Sequence, residues 1–332
     1  MGLTPAQTLP IAVSLGDPSG IGAEVLAKAL ALEPRTVKVY GARVALERAW
    51  RSYGLGPLPP CEDVGALSEA DMVLGQPSDA GLRASAQAVV DATRAVMRGE
   101  ARALVTAPIV KRALALAGHD APGHTELLMR LAGVPQVAMM LGGEKLRVIV
   151  ATTHCALRDV PARLREVDLA GLMVLTAREL RAKLGIAHPR LALAALNPHG
   201  GEGGLFGDEE ATLLRPALDA ARAAGVDVTG PHPSDTLFAR AATHDLYDAI
   251  VALYHDQALI PVKLLHFGNA VNTTLGLPFV RTSPDHGVAY DIAAQGIADP
   301  GSMVAALRLA DKMSAQRPHG LPIESLPTES KC

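Results

Sequence analysis

The sequence predicts an α/β fold with largely parallel sheets, and three observations carry that prediction. Short apolar runs alternate with longer amphipathic segments along most of the chain, the order expected of strand–helix units. Several of the short runs are apolar at nearly every position, as a strand is when helices cover both its faces. No repeat or low-complexity linker breaks the alternation, although 332 residues allow one large or two ordinary domains. No shift of composition marks a boundary, which points to domains interleaved in sequence.

Taken in order, the strand candidates are "IAVSL" (11–15), "VKVYG" (37–41), "ARALVTA" (101–107), "LRVIVAT" (146–152), "RLALAAL" (190–196) and "AIVALY" (249–254). Amphipathic segments at 22–32, 82–99, 164–184 and 208–224 read as helices. In 164–184, Leu and Val recur at the 3.6-residue spacing that gathers them on one helix face. Residues 53–62, "YGLGPLPPCE", form a Gly/Pro-rich loop, and the stretch from about 314 loses periodicity and reads as a mobile tail.

Composition excludes several classes. Hydrophobic residues make up 49% and charged residues 20%, a globular balance. Aromatics are 3%, so Ala, Leu, Val and Ile must build the core. The net charge of −3 and the lack of a basic, aromatic-interleaved stripe argue against nucleic acid as a partner. Three widely spaced cysteines, Cys61, Cys155 and Cys332, fit neither a disulfide framework nor a CxxC metal site, so a reducing cytoplasm is expected. The first twenty residues lack a basic leader region, and no apolar run reaches 18 residues, so neither a signal peptide nor a membrane span is expected.

Ligands of parallel α/β sheets bind beyond the carboxyl ends of the strands. Three histidines fall there: His154 after "LRVIVAT", His199 after "RLALAAL" and His255 after "AIVALY". Each either ligates a divalent ion, for which neutral imidazole is a favoured donor, or simply caps its strand. Asp256 and Asp159 are candidates to orient the rings, with local turn formation the plainer reading of Asp159. The "NPHGGEGG" segment sets four glycines around Glu202 just after His199, giving a backbone free to turn sharply.

Other strand-end turns bear polar groups. "GDPSGIGAEV" (16–25) opens a helix but matches neither nucleotide-binding glycine signature, so it reads equally as a tight strand–helix turn. "TAPIVK" carries Lys111, and "PGHTELL" sets His124 and Thr125 at a helix start suited to an anion, or to a plain cap. Residues 261–283 bring Lys263, Asn272 and Arg281 into one Gly-rich stretch, and Lys and Arg are the usual binders of phosphate and carboxylate. Asp285, His286, Gly287 and Asp291 lie in a turn before a helix with no chemistry legible from spacing.

Taken together, "GDPSGIGAE", "TAPIVK", "PGHTE", "TTHCALRDVP", "LNPHGGEGGLFGDEE", "GPHPSDTLF", "YHDQALIPVK" and "VNTTLGLPFVRTSPDHG" resemble the 4-hydroxythreonine-4-phosphate dehydrogenase family of pyridoxal phosphate biosynthesis, over about residues 10 to 313. "GDPSGIGAEV" and "DHGVAYDIAAQGIADP" are also similar to segments of the wider isocitrate/isopropylmalate dehydrogenase group. The resemblance implies an α/β/α fold of two interleaved domains with an active-site cleft between them. Its expected division is an NAD(P)-binding domain at 1–125 plus 273–332 and a metal, substrate and dimerisation domain at 126–272. It implies a homodimer with the metal site at the subunit interface, a small phosphorylated amino-acid substrate, and NAD or NADP with a divalent Zn, Co or Mg ion as cofactors. Softness favours Zn, Co or Ni at three imidazoles over Mg.

By that resemblance His154, His199 and His255 are the metal ligands. His124, Thr125, Lys263, Asn272 and Arg281 bind substrate, Lys263 and His255 act in catalysis, and Asp285, His286, Gly287 and Asp291 meet the cofactor. The implied reaction oxidises the C3 hydroxyl of 4-phosphooxy-L-threonine to 2-amino-3-oxo-4-phosphooxybutyrate, which loses CO2 to give 3-amino-2-oxopropyl phosphate. Sister dehydrogenases on the same scaffold act on phosphothreonate-type acids or aromatic-acid cis-dihydrodiols. His232, standing where the family has an apolar residue, is not counted as a ligand.

Overall fold

The computed structural model describes residues 9–316. Its strands are β1 (Ile11–Ser14), β2 (Val37–Gly41), β3 (Cys61–Asp63), β4 (Ala103–Thr106), β5 (Ala138–Gly142), β6 (Arg147–Val150), β7 (Arg190–Ala194), β8 (Asp227–His232), β9 (Ala249–Ala252), β10 (Val271–Leu275) and β11 (Val280–Pro284). Its α-helices are α1 (Gly22–Leu32), α2 (Arg43–Ser52), α3 (Asp79–Met97), α4 (Lys111–Leu116), α5 (His124–Ala132), α6 (Val160–Leu164), α7 (Leu169–Leu184), α8 (Arg215–Ala223), α9 (Ser234–Thr243), α10 (His255–His266) and α11 (Gly301–Ala315). The predicted tail from about 314 is helical through Ala315, and its remainder lies outside the described residues.

The chain divides into two compact units: residues through Val137 together with Leu277 onward, and Ala138–Gly276. The expected boundaries were 125/126 and 272/273. Leu127 and Leu128 of α5 pack into the core of the first unit.

In the first unit the strand order is β3-β2-β1-β4-β11, every pair parallel. Ala12, Tyr40 and Leu104 share one cluster with Leu82, Ala86 and Val89 of α3. Their neighbours Ile11, Val13, Val39 and Val105 are buried as well, and α11 packs on β4 and β11. Continuous apolar runs therefore mark strands covered on both faces, as predicted.

The second unit orders its strands β10-β5-β6-β9-β7-β8. β6, β9, β7 and β8 run parallel, while β5 is antiparallel to both β6 and β10. The pairing is largely parallel, as expected, and the exception is β5, which enters β6 through a hairpin. β5 turns into β6 at Gly142, with φ +149°, and Gly143 N donates to Leu146 O at 3.0 Å. The segment "AMMLG" has no β-branched residue, so local pattern does not announce it as a strand.

Two helix predictions also change. The 164–184 segment breaks at Asp168, whose side chain accepts from Gly171 N and starts α7 at Leu169. The 208–224 segment begins as a π-helical turn at Glu210–Leu214 before α8.

Candidate active site

Within the second unit, β6, β9 and β7 lie side by side and parallel. Their carboxyl ends lead into His154, His255 and His199 respectively. The segments beyond the strands remain tied to one another. Ala151 N donates to Ala252 O at 2.9 Å, and Thr152 donates to Leu253 O through both N and Oγ1 at 3.1 and 2.7 Å. This places the His154 and His255 rings with centroids 5.6 Å apart. His255 opens α10, and its Nδ1 donates to Asp256 Oδ1 at 2.7 Å, which in the neutral ring leaves the lone pair on Nε2.

His199 sits in a different local structure. From His199 to Gly204 every φ is positive: 53°, 66°, 78°, 42°, 67° and 99°. Glycine bears that conformation at little cost, whereas His199 and Glu202 each store about 1–2 kcal/mol in it. The glycines thus let a short left-handed turn carry an exposed imidazole. Among the described residues no group of three His, Cys, Asp or Glu side chains is gathered closely enough to hold a metal ion. A single chain brings His154 and His255 together and does not add His199 to them.

Lys263 is half-buried on α10, and Asn272 is half-buried on β10 with its Oδ1 enclosed and without a hydrogen-bond partner. Asp159 is exposed beside Arg158. His232 Nε2 is 2.8 Å from Thr229 Oγ1, and burial lowers its pKa.

The first unit holds the other candidates. Arg281 on β11 is 2% exposed, and its Nη2 donates to Thr106 Oγ1 at 2.6 Å. Burial lowers its pKa to about 10. At the start of α5, His124 has an enclosed Nε2 with no hydrogen-bond partner. Burial, and then the charge of Arg281, hold its pKa down to about 3. Thr125 follows it, and Gly123 rather than Thr125 is the cap residue. Lys111 is exposed at the start of α4.

Asp285 N donates to Ser302 Oγ at 2.9 Å, and His286 Nε2 is enclosed and without a partner. Gly287 and Asp291 are exposed. This segment grips the "GDPSG" turn: Tyr290 donates its hydroxyl to Asp17 Oδ2, and Ile21 N donates to Val288 O at 3.1 Å. A Cβ on Gly20 would lie 2.2 Å from Val288 Cγ1, so the approach requires glycine there. Asp17 Oδ1 also accepts from Ser19 N at 2.9 Å, which closes the turn locally.

Local pattern missed two side chains that hold these strand ends. Gln257 accepts from Leu253 N at 2.6 Å and donates to Ala195 O at 2.7 Å, bridging the exits of β9 and β7. Glu210 accepts from Leu196 N and Asn197 N at the exit of β7. The "YHDQ" and "GDEE" motifs contain both, but their partners are not adjacent in sequence.

The profile of the pyridoxal phosphate biosynthetic protein PdxA family matches residues 21–310. The chain belongs to this family. PdxA relatives match it at nearly full length. A 4-hydroxythreonine-4-phosphate dehydrogenase of Geobacter metallireducens is 45% identical, covering 93% of this chain and 97% of the relative. The crystal structure of the Klebsiella pneumoniae 4-hydroxythreonine-4-phosphate dehydrogenase superposes with a TM-score of 0.80 at 39% identity, over 92% of this chain and 100% of that one. A terephthalate 1,2-cis-dihydrodiol dehydrogenase from Burkholderia xenovorans is more distant, at 32% identity and a TM-score of 0.63, over 92% of this chain and 98% of the other. The chain therefore has the isocitrate/isopropylmalate dehydrogenase-like α/β fold, and its curated relatives are oxidoreductases.

Proposed function

We propose that the protein is a metal-dependent, NAD(P)-dependent dehydrogenase of 4-phosphooxy-L-threonine. It oxidises the C3 hydroxyl to give 2-amino-3-oxo-4-phosphooxybutyrate, which decarboxylates to 3-amino-2-oxopropyl phosphate. The observation that carries this reading is full-length similarity to relatives of that name, at 45% identity over 93% of the chain. The Burkholderia dihydrodiol dehydrogenase, at 32%, represents the sister reading and is the less similar of the two.

The donor set suits a divalent ion in part. His154 and His255 offer two imidazoles at adjacent strand ends, and the Asp256 contact leaves His255 Nε2 as the donor. His199, exposed on its own turn, is the third ligand of the proposal, contributed between two copies of the chain. A dimer is supported by the apolar face of α10. Ile260, Leu264 and Phe267, spaced along one side, are 66%, 83% and 87% exposed, a patch that suits a second copy.

A bound divalent ion would supply Lewis acidity at the oxygen undergoing oxidation and a bound nicotinamide the hydride acceptor. The chain's own groups do the positioning. Arg281, with His124 and Thr125 at the α5 start, forms an anion-binding group for the phosphate or carboxylate. His124 stays neutral at neutral pH, so it takes part as a hydrogen-bonding group while Arg281 provides the charge. Asn272 offers a buried carbonyl oxygen to a substrate donor, and Lys263 provides a charge or accepts the hydroxyl proton. Asp285, His286, Gly287 and Asp291 form the candidate nicotinamide-cofactor segment. A cytoplasmic location accords with the reduced cysteines this reading assumes; among the described residues no helix is long and apolar enough to cross a membrane.

The deciding experiment incubates the purified, Co2+- or Zn2+-loaded protein with 4-phosphooxy-L-threonine and either NAD+ or NADP+, following reduced nicotinamide and CO2. The expected result is stoichiometric formation of both, lost in His255→Ala. Turnover of a phosphothreonate or a terephthalate dihydrodiol, but not of 4-phosphooxy-L-threonine, would refute the substrate assignment.

A further inference from the structure

We infer that Glu210 is a positioning residue for His199, an inference that rests on the reading of His199 as a metal ligand. The left-handed turn from His199 to Gly204 is a strained segment, and such a segment persists only where its surroundings over-determine it. The residue that does so is buried 11 positions further along the chain. Glu210 is 3% exposed. Its Oε1 accepts from Leu196 N at 2.9 Å and Asn197 N at 2.7 Å, the two amides that lead from β7 into the turn. Its Oε2 accepts from Asn197 Nδ2 at 3.0 Å. The same oxygen lies 2.8 Å from where a Cβ on Gly201 would stand, so the carboxylate packs directly against the turn's backbone.

Two further features fit this role. Asn197 Nδ2 also donates to Glu209 Oε2 at 2.8 Å, so adjacent glutamates hold one amide from two sides. Glu209 caps and Glu210 opens the π-helical turn Glu210–Leu214, and such turns are frequent at functional sites. A buried carboxylate with three N–H donors is matched in hydrogen bonding, and each donor belongs to the entry of the His199 turn. Glu210 therefore acts through the backbone: it sets where the imidazole of His199 stands before any ion arrives, and has no contact of its own with substrate.

The test compares wild type, Glu210→Gln, Asn197→Ala and His199→Ala by Co2+ titration and by amide hydrogen exchange of the metal-free protein. Glu210→Gln is nearly isosteric and keeps one acceptor oxygen, and Asn197→Ala removes the same link from the other side should the first variant fold poorly. Both are expected to speed exchange across 197–204 and to weaken Co2+ binding by ~10–100-fold, the usual effect of removing a group that orients a ligand. The visible spectrum of bound Co2+ should change as well, which a general loss of stability would not produce. Wild-type Co2+ affinity in His199→Ala would overturn the ligand reading itself. Weakened binding in His199→Ala with wild-type binding and exchange in both Glu210→Gln and Asn197→Ala would overturn the positioning role alone.

Discussion

Replacing His124 by Asn removes a titrating group whose pKa the fold holds down from 6.5 to about 3. Burial is the larger cause and the Arg281 charge the smaller. The unfolded chain takes up this proton near pH 6.5 and the folded chain only near pH 3. Between those values the unfolded state binds more protons, so stability falls as the pH falls. The contribution is whole above about pH 6.5 and shrinks progressively below it. At about pH 5 the unfolded imidazole is protonated roughly 30-fold over its neutral form, which at about 1.4 kcal/mol per decade costs the folded state ~2 kcal/mol. Urea unfolding of wild type and His124→Asn at about pH 7.5 and about pH 5 measures this directly. The wild type should lose about 2 kcal/mol more than the variant between the two conditions. An NMR titration of the imidazoles, with the variant assigning the missing resonance, supplies the pKa itself. Arg281→Gln should raise that pKa without restoring it to 6.5, since burial remains. A His124 resonance that titrates between about pH 6 and 7 would refute the argument, as would equal acid sensitivity in the two proteins.

Two more perturbations follow from particular contacts in the second unit. Glu179 accepts from Lys183 Nζ at 2.7 Å and Gly276 N at 2.9 Å, and although burial pushes its carboxyl up, these partners hold it below its ordinary value. Glu179→Ala removes the carboxylate from a buried ion pair, so denaturant unfolding should register a loss of about 3–5 kcal/mol; a loss within about 0.5 kcal/mol would contradict the pairing. Leu264→Asp places a charge on the exposed apolar face of α10. Sedimentation should then show more monomer than wild type, and Co2+ affinity should become dependent on protein concentration. An unaltered sedimentation profile would remove α10 from the interface.

How much was legible in the sequence varies with the distance over which each feature is decided. Strand runs such as "IAVSL" and "AIVALY" declare themselves because burial on both faces requires continuous apolar residues, a local property. The position of His154, His199 and His255 at strand ends is local too, since a side chain that follows a strand by a few residues must stand near its carboxyl end. The sequence by itself thus determined the α/β class, the family motifs and the candidate histidines. Tertiary structure alone decided the antiparallel place of β5, because hydrogen bonding to β6 and β10 overrode a segment with no strand signature. It alone decided that His154 and His255 meet, that the Arg281 charge reaches His124, and that Gln257 reaches the strand exit at Ala195, 62 residues away. Glycine composition foretold a sharp turn at 197–204, whereas its left-handed course and the buried Glu210 that grips it depend on packing. The physical reason is common to these cases: periodicity records which face of an element is buried, but hydrogen bonds and charges act through space between residues whose separation along the chain carries no pattern.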